Sequence, residues 1–289
     1  MLATAARRSG WMLSLALVAM PLAAADKLSP EVRLAAATGR PVEVLITIAG
    51  DADLAGTPPA GEHAQKVATA GQRLRDTAAR AQAGLIEDLD SRGIEHRAFW
   101  VANVVWARAG LAELERIAGR DDVLHVDGNP VVRNRLPQPE PGPQSPDVPN
   151  ATEWGVNKVR APEVWATGYT GQGVVIGGQD TGYQWDHLAL RDKYRGWDGA
   201  SADHNYHWHD AIHAIIGSGT NPCGLDSPLP CDDHNHGTHT MGTMVGDDGG
   251  GNQIGVAPGA RWIACRNMER GNGTPATYLE CFQWFMAPT

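Results

Sequence analysis

The groups best suited to chemistry in this 289-residue chain fall in its second half. Asp180-Thr181-Gly182 follows a short branched run, and Asn235-His236-Gly237-Thr238-His239 places its first histidine 56 residues after Asp180. Gly255-Val256-Ala257-Pro258-Gly259-Ala260 precedes another apolar run. Each motif has a plain reading when taken alone. Asp-Thr-Gly is good turn chemistry, and His236 could be a surface or core histidine. Eight of the 11 histidines (187, 204, 207, 209, 213, 234, 236, 239) lie between His187 and His239, with Asp210, Asp232, Asp233, Cys223 and Cys231 among them. Zinc takes such ligands, yet His204, His207, His209 and His213 lack a paired spacing of a known site. His236 and His239 also lack the helical His-Glu-x-x-His arrangement. An aspartic dyad needs two carboxylates, and the chain has one Asp-Thr-Gly.

These groups need a scaffold. Val174 to Ile176 reads as a buried strand that runs through Gly177 and Gly178 to deliver Asp180 at its carboxyl end, where ligands and reactive groups collect in open α/β sheets. Gly237, Gly242 and the intervening threonines let a helix lie close to that sheet. Arg261 to Arg266 is a second buried strand. A helix is expected from Thr277, with Glu280 placed for a capping box and Tyr278, Cys281, Phe282 and Phe285 turned inward.

Upstream, the pattern is different. Val42, Val44, Ile46 and Ile48 alternate along Pro41 to Ile48, as in a half-buried strand. Ala64, Val67, Ala68, Gly71, Leu74, Ala78, Ala81, Leu85 and Leu89 draw one stripe down a long helix that ends at Gly93. Ala98 to Ala107 has strand composition with a turn or bulge at Ala102-Asn103. A helix from about Leu111 turns Leu114 and Ile117 inward, and Val123 to Val126 is a last strand. The order β, α, β (divisible in two), α, β fits a small antiparallel sheet with both helices on one face. Six prolines between Pro137 and Pro149 make an extended, exposed linker.

Arg7 and Arg8, the apolar run Trp11 to Met20 and Ala23 to Ala25 read as an export signal, with the mature chain starting near Asp26. The Sec route is the default, with Arg7-Arg8 leaving twin-arginine export open. The apolar run is short of the roughly 20 residues a membrane crossing needs, so no membrane attachment is expected after cleavage. Export places the four cysteines where thiols oxidise. Cys223 and Cys231 suit a local bridge and Cys265 with Cys281 a second, although four cysteines permit three connectivities. Twenty-four Lys and Arg against 33 Asp and Glu leave a net charge of -9, which gives no electrostatic case for nucleic acid.

Taken in order, the Asp, His and Gly-Val-Ala-Pro motifs resemble the subtilase (peptidase S8) family of serine proteases. Gly178-Gln179-Asp180-Thr181-Gly182 and Cys231-Asp232-Asp233-His234-Asn235-His236 are most similar to its bacillopeptidase F-like group. The resemblance covers about the last half of the chain. It implies an α/β fold, a subtilisin-like parallel sheet with flanking helices, incomplete here. It also implies acyl transfer to water, with His236 as base for a Ser hydroxyl and Asp180 orienting it. Thr238 and His239 are then supporting residues, His239 packed and not catalytic. The Ser of a Gly-Thr-Ser-x-Ala segment is expected after His236, but no Ser follows Ser227, and Ser201, Ser218 and Ser227 sit in loop contexts. With the oxyanion Asn also expected beyond Thr289, a donor worth on the order of 3 kcal/mol, the resemblance implies a C-terminally truncated and inactive fragment.

The resemblance also implies domains: a signal peptide over 1–25, an α+β ferredoxin-like inhibitor I9-type propeptide over 26–135, a Pro-rich linker over 136–150, and the N-terminal part of the catalytic domain over 151–289. Partners would be protein or peptide substrates and the chain's own propeptide, docked on the catalytic domain. The location would be extracellular or periplasmic. No cofactor is required. Many subtilases bind calcium, for which Asp247, Asp248 and Asn252 offer oxygens in a Gly-rich loop without EF-hand spacing.

Overall fold

The computed structural model describes residues 27–55, 63–133, 151–217 and 219–289. The expected signal segment and Pro-rich linker lie outside these.

In the N-terminal unit, helix α1 (Pro30–Ala36) is followed by strand β1 (Val42–Ile48), helix α2 (His63–Ser91), strands β2 (His96–Phe99) and β3 (Val104–Ala109), helix α3 (Leu111–Ala118) and strand β4 (Val123–Gly128). The sheet order is β2-β3-β1-β4, antiparallel throughout. Alternation decides its two faces. Val44, Ile46, Val105, Ala107 and Val126 turn toward Leu85 and Leu89 of α2 and Leu114 and Ile117 of α3, forming one closed core. Both helices therefore cover one face, as the pattern requires. The apolar stripe of α2 outruns that core: Ala64 and Ala68 are exposed.

Helix α1 was not legible as an element from periodicity, being only seven residues long. Its signals are local. Ser29 accepts from Val32 N, Pro30 occupies the first turn, and Val32 and Ala36 are buried against the sheet.

The second part carries short helices α4 (Trp154–Lys158) and α5 (Ala161–Trp165), strands β6 (Val175–Asp180) and β7 (Trp208–Asp210), helix α6 (His236–Val245), strands β8 (Arg261–Arg266), β9 (Met268–Glu269) and β10 (Asn272–Gly273), and helix α7 (Pro275–Met286). Strand β5 (Val132–Arg133) follows the N-terminal unit but pairs antiparallel with β10. Strands β6, β8 and β7 form a parallel sheet in that order, so this part is α/β as expected. Their last residues, Asp180, Arg266 and Asp210, stand side by side in register.

Several expectations need correction. Strand β6 is an edge strand of this sheet and not a buried one, with Val174 52% and Val175 42% exposed. Helix α7 starts earlier than expected. Thr274 is its cap, with Thr277 completing a reciprocal pair and Pro275 at the first position, so Glu280 lies in mid-helix and caps nothing. Phe282 is half-exposed, whereas Trp284 is buried. The inward stripe is set by the strands beneath it, among them Cys265, which is bridged to Cys281. Cys223 and Cys231 form the other disulfide.

The second face of the N-terminal sheet is also covered. Phe99, Val104, Trp106 and Leu45 pack on Ala276 and Leu279 of α7. Around this contact, Arg97 pairs with Glu280 at 2.9 Å, Trp100 N donates to Gln283 Oε1 at 2.7 Å, and Ala276 N donates to Asn129 Oδ1 at 3.0 Å.

Candidate active site

Asp180 closes β6 and His236 opens α6. The structure brings them together: His236 Nδ1 lies 2.7 Å from Asp180 Oδ1 and 2.9 Å from Oδ2. The Asp180 carboxylate is buried, and it also accepts from Thr181 N (2.7 Å) and Thr240 Oγ1 (3.3 Å). A carboxylate at Nδ1 fixes the tautomer with the proton on that nitrogen, leaving the Nε2 lone pair free. The His236 side chain is 30% exposed, and among the described residues no hydrogen bond engages Nε2. The pair can therefore accept a proton from a group arriving from solvent.

Close approach of α6 to β6 depends on glycine at one position. A Cβ on Gly237 would lie 2.0 Å from Gly182 O and 3.0 Å from Asp180 Cβ. The expectation for Gly242 is not met, since a Cβ there would meet nothing within 4 Å. Beneath Asp180, β6 is squeezed from both sides. A Cβ on Gly177 would come within 2.9 Å of the Phe285 ring, and one on Gly178 within 2.6 Å of the Tyr183 hydroxyl. Burial, with Asp180 and Asp232 nearby, holds that phenol well above its ordinary range, so Tyr183 stays neutral.

Two neighbouring residues carry more of the geometry than their sequence context indicated. Asp232 Oδ1 accepts from Thr181 Oγ1 (2.8 Å), His234 N (3.1 Å) and Asn235 N (2.9 Å). Its Oδ2 accepts from Thr238 N (2.9 Å) and Thr238 Oγ1 (2.6 Å). Thr181 Oγ1 in turn accepts from Gly237 N at 3.1 Å. Thr238 is thus a supporting residue as expected, whereas His239 is exposed and not packed away. The local clue to Asp232 was an acid four residues before a helix start, which looks like any turn.

Asp233 belongs to a second group, whose charged side chains are buried. Arg266 at the end of β8 reaches Asp233 Oδ2 (2.6 Å), Asp210 Oδ2 (3.2 Å), Asn221 Oδ1 (2.9 Å) and Gly224 O (3.0 Å). Burial pushes the Asp210 and Asp233 carboxyls up, against the opposing pull of Arg266. This arginine pins the loop closed by the Cys223–Cys231 bridge to the end of the sheet.

The remaining histidines are dispersed. His204 packs on Tyr194 and Trp185, His207 Nδ1 meets Asp203 O, and His209 and His213 both face Glu280. Cys223 and Cys231 are spent on each other. In the Gly-rich loop, Asp248 Oδ1 accepts from Gly250 N and Asn252 N, and its Oδ2 accepts from Asn252 Nδ2 at 2.7 Å. Asp247 faces Lys193 at 3.6 Å. Asp248 is thus engaged by hydrogen bonds within its own loop.

No helix among the described residues is long and apolar enough to cross a membrane. Residues 171–287 match the model of the subtilase family. Bacillopeptidase F of Bacillus subtilis (strain 168) is 43% identical over 143 residues, 48% of this chain and 9% of that protein. The major intracellular serine protease of the same organism is 28% identical over 120 residues, 42% of this chain and 32% of that protein. The chain spans at most about a third of these two relatives. Among solved structures, the epidermin leader peptide processing serine protease from Staphylococcus aureus shares the fold with a TM-score of 0.51 at 12% identity, over 80% of this chain and 44% of that one. The motifs, the parallel sheet that presents Asp180 and the family match agree that residues 171–287 are similar to the subtilase family.

Proposed function

We propose that this chain is part of the precursor of a secreted serine endopeptidase that hydrolyses peptide bonds in proteins. The observation that carries the reading is the two-oxygen contact between Asp180 and His236 Nδ1. In such a pair His236 Nε2 takes the proton of an attacking Ser hydroxyl and returns it to the leaving amine, while Asp180 holds the ring and stabilises its charged form. The Ser and an oxyanion-binding Asn would come from sequence beyond Thr289. No cofactor enters this chemistry. The buried Asp180, engaged by an imidazole, favours this reading over an aspartic dyad. In the full-length protein, Asp180→Ala or His236→Ala should abolish self-processing and peptide hydrolysis. Activity retained in either variant would sink the reading.

A second role, for residues 26–135, is that of an inhibitory and folding module that leaves by cleavage between about Arg133 and Asn150. It is supported by the antiparallel pairing of β5 with β10 and by the packing of the N-terminal sheet on α7. Adding residues 26–135 to the mature protease should inhibit it, and N-terminal sequencing of the mature enzyme should begin within that window. A start before Val126 would contradict it.

A further inference from the structure

Asp180 and His236 belong to different elements, and their contact survives only if the end of β6 and the start of α6 keep a fixed separation. The helix does not cap itself: Asn235 stands at its N-terminus in a left-handed conformation (φ 65°) and its side chain makes no capping hydrogen bond. The open N–H groups of the first turn are taken up from elsewhere. Gly237 N donates to Thr181 Oγ1, and Thr238 N donates to Asp232 Oδ2. Thr181 is the residue after Asp180, is fully buried, and its hydroxyl donates a hydrogen bond to Asp232 Oδ1. Asp232 also holds His234 N and Asn235 N, the two amides that lead into His236. One carboxylate and one hydroxyl therefore tie the strand end, the approach to the helix and its first turn into a closed loop of hydrogen bonds.

We propose that Thr181 and Asp232 are positioning residues that hold the His236 imidazole against Asp180. The hydrogen bonds of neither side chain go to the ring, so both act through the backbone that carries it. The inference rests on the reading of Asp180 and His236 as the proton-transfer pair. A side chain of valine size at 181 keeps the volume and removes both bonds of the hydroxyl. Asn at 232 keeps an acceptor for Thr181, His234 and Asn235 but sets an amide N–H against Thr238 N.

The test uses the full-length protease with Thr181→Val, Thr181→Ser, Asp232→Asn and, as references, Asp180→Ala and His236→Ala. Misplacement of the base by a fraction of an ångström should lower kcat on a peptide substrate by about 10- to 100-fold in Thr181→Val, with KM nearly unchanged. Thr181→Ser should recover to within about threefold of the parent, because it restores the hydroxyl, and Asp232→Asn should fall about tenfold. In the present chain, the imidazole Nδ1 proton of His236, read by NMR, should exchange with water faster in Thr181→Val than in the parent. Full kcat in both Thr181→Val and Asp232→Asn would overturn the proposal, as would a loss of thermal stability with kcat and proton exchange unchanged. If Thr181→Val fails to fold, Asp232→Asn carries the same decision. Activity retained in Asp180→Ala or His236→Ala would instead refute the protease reading, while the proton-exchange result would still judge the positioning role.

Discussion

Glu280→Gln should weaken the junction between the N-terminal sheet and α7, and should do so in a pH-dependent way. Glu280 is 14% exposed and sits among Arg97 of β2, His209 of β7 and His213 of the following loop. Burial opposes its ionisation, but hydrogen bonds from His209 and His213, and the charges they carry, outweigh it and hold the carboxyl down at about 2. Against an ordinary value of 4.5, that difference corresponds to about 3 kcal/mol near pH 6, with each pH unit worth about 1.4 kcal/mol. The depressed carboxyl contributes fully above its unfolded value and loses its contribution as pH falls toward 2, leaving about 1 kcal/mol at pH 3. His213 runs the other way. It faces Glu280 through Nε2 and Asp226 through Nδ1, and the bond to Glu280 holds its pKa above the ordinary 6.5. Its contribution is complete below 6.5 and fades as pH rises through the elevated value. The network should be strongest between about pH 4.5 and 6.5. Urea unfolding of parent and Glu280→Gln chains at pH 3 and pH 6 measures the difference. A gap below about 1 kcal/mol at pH 6, or the same gap at both pH values, would refute the reasoning.

Three further outcomes follow from the packing. Gly237→Ala drives a methyl into Gly182 O and should cost about 1–3 kcal/mol or more and abolish activity in the full protein, whereas Gly242→Ala, with open space at its Cβ, should be neutral or stabilising in thermal melts. Arg266→Met leaves Asp210 and Asp233 buried without their cation and should destabilise by about 3–5 kcal/mol in urea titrations; a change under about 1 kcal/mol would show that the carboxyls find other partners. Replacing Cys265 and Cys281 by Ala opens a 16-residue separation and should cost about 3 kcal/mol, roughly 0.6 kcal/mol more than opening the 8-residue separation of Cys223 and Cys231. The reverse order in melting temperature would count against chain entropy as the main term.

What could be read without coordinates was whatever is written in short-range periodicity or in an ordered motif. The alternation at Val42 to Ile48 and the stripe ending at Leu89 encode a local period, and their buried faces coincide in one core. Asp180 and His236 were legible because family order links two segments that no local pattern connects. Residues whose roles depend on distant partners were not. Asp232 looks like a turn residue until Thr181 arrives from just past the end of β6. Arg266 looks like the polar end of β8 until the disulfide loop closes over it. Glu280 fitted a capping pattern by spacing, but the helix began at Pro275 and left it facing two histidines and an arginine. Phe282 has the right residue type for a core and the wrong azimuth, since the sheet and the disulfide at Cys281 fix the helix rotation.

Helix α7 presents apolar side chains in two directions, Phe285 toward the strand of Asp180 and Leu279 with Ala276 toward the N-terminal sheet. An ordinary surface helix keeps one side wet. Losing residues 27–133 would therefore strip a hydrophobic seam bare, and the remaining part would gain a tendency to self-associate that grows with concentration. The N-terminal unit is, in colloidal terms, a coat as well as a neighbour.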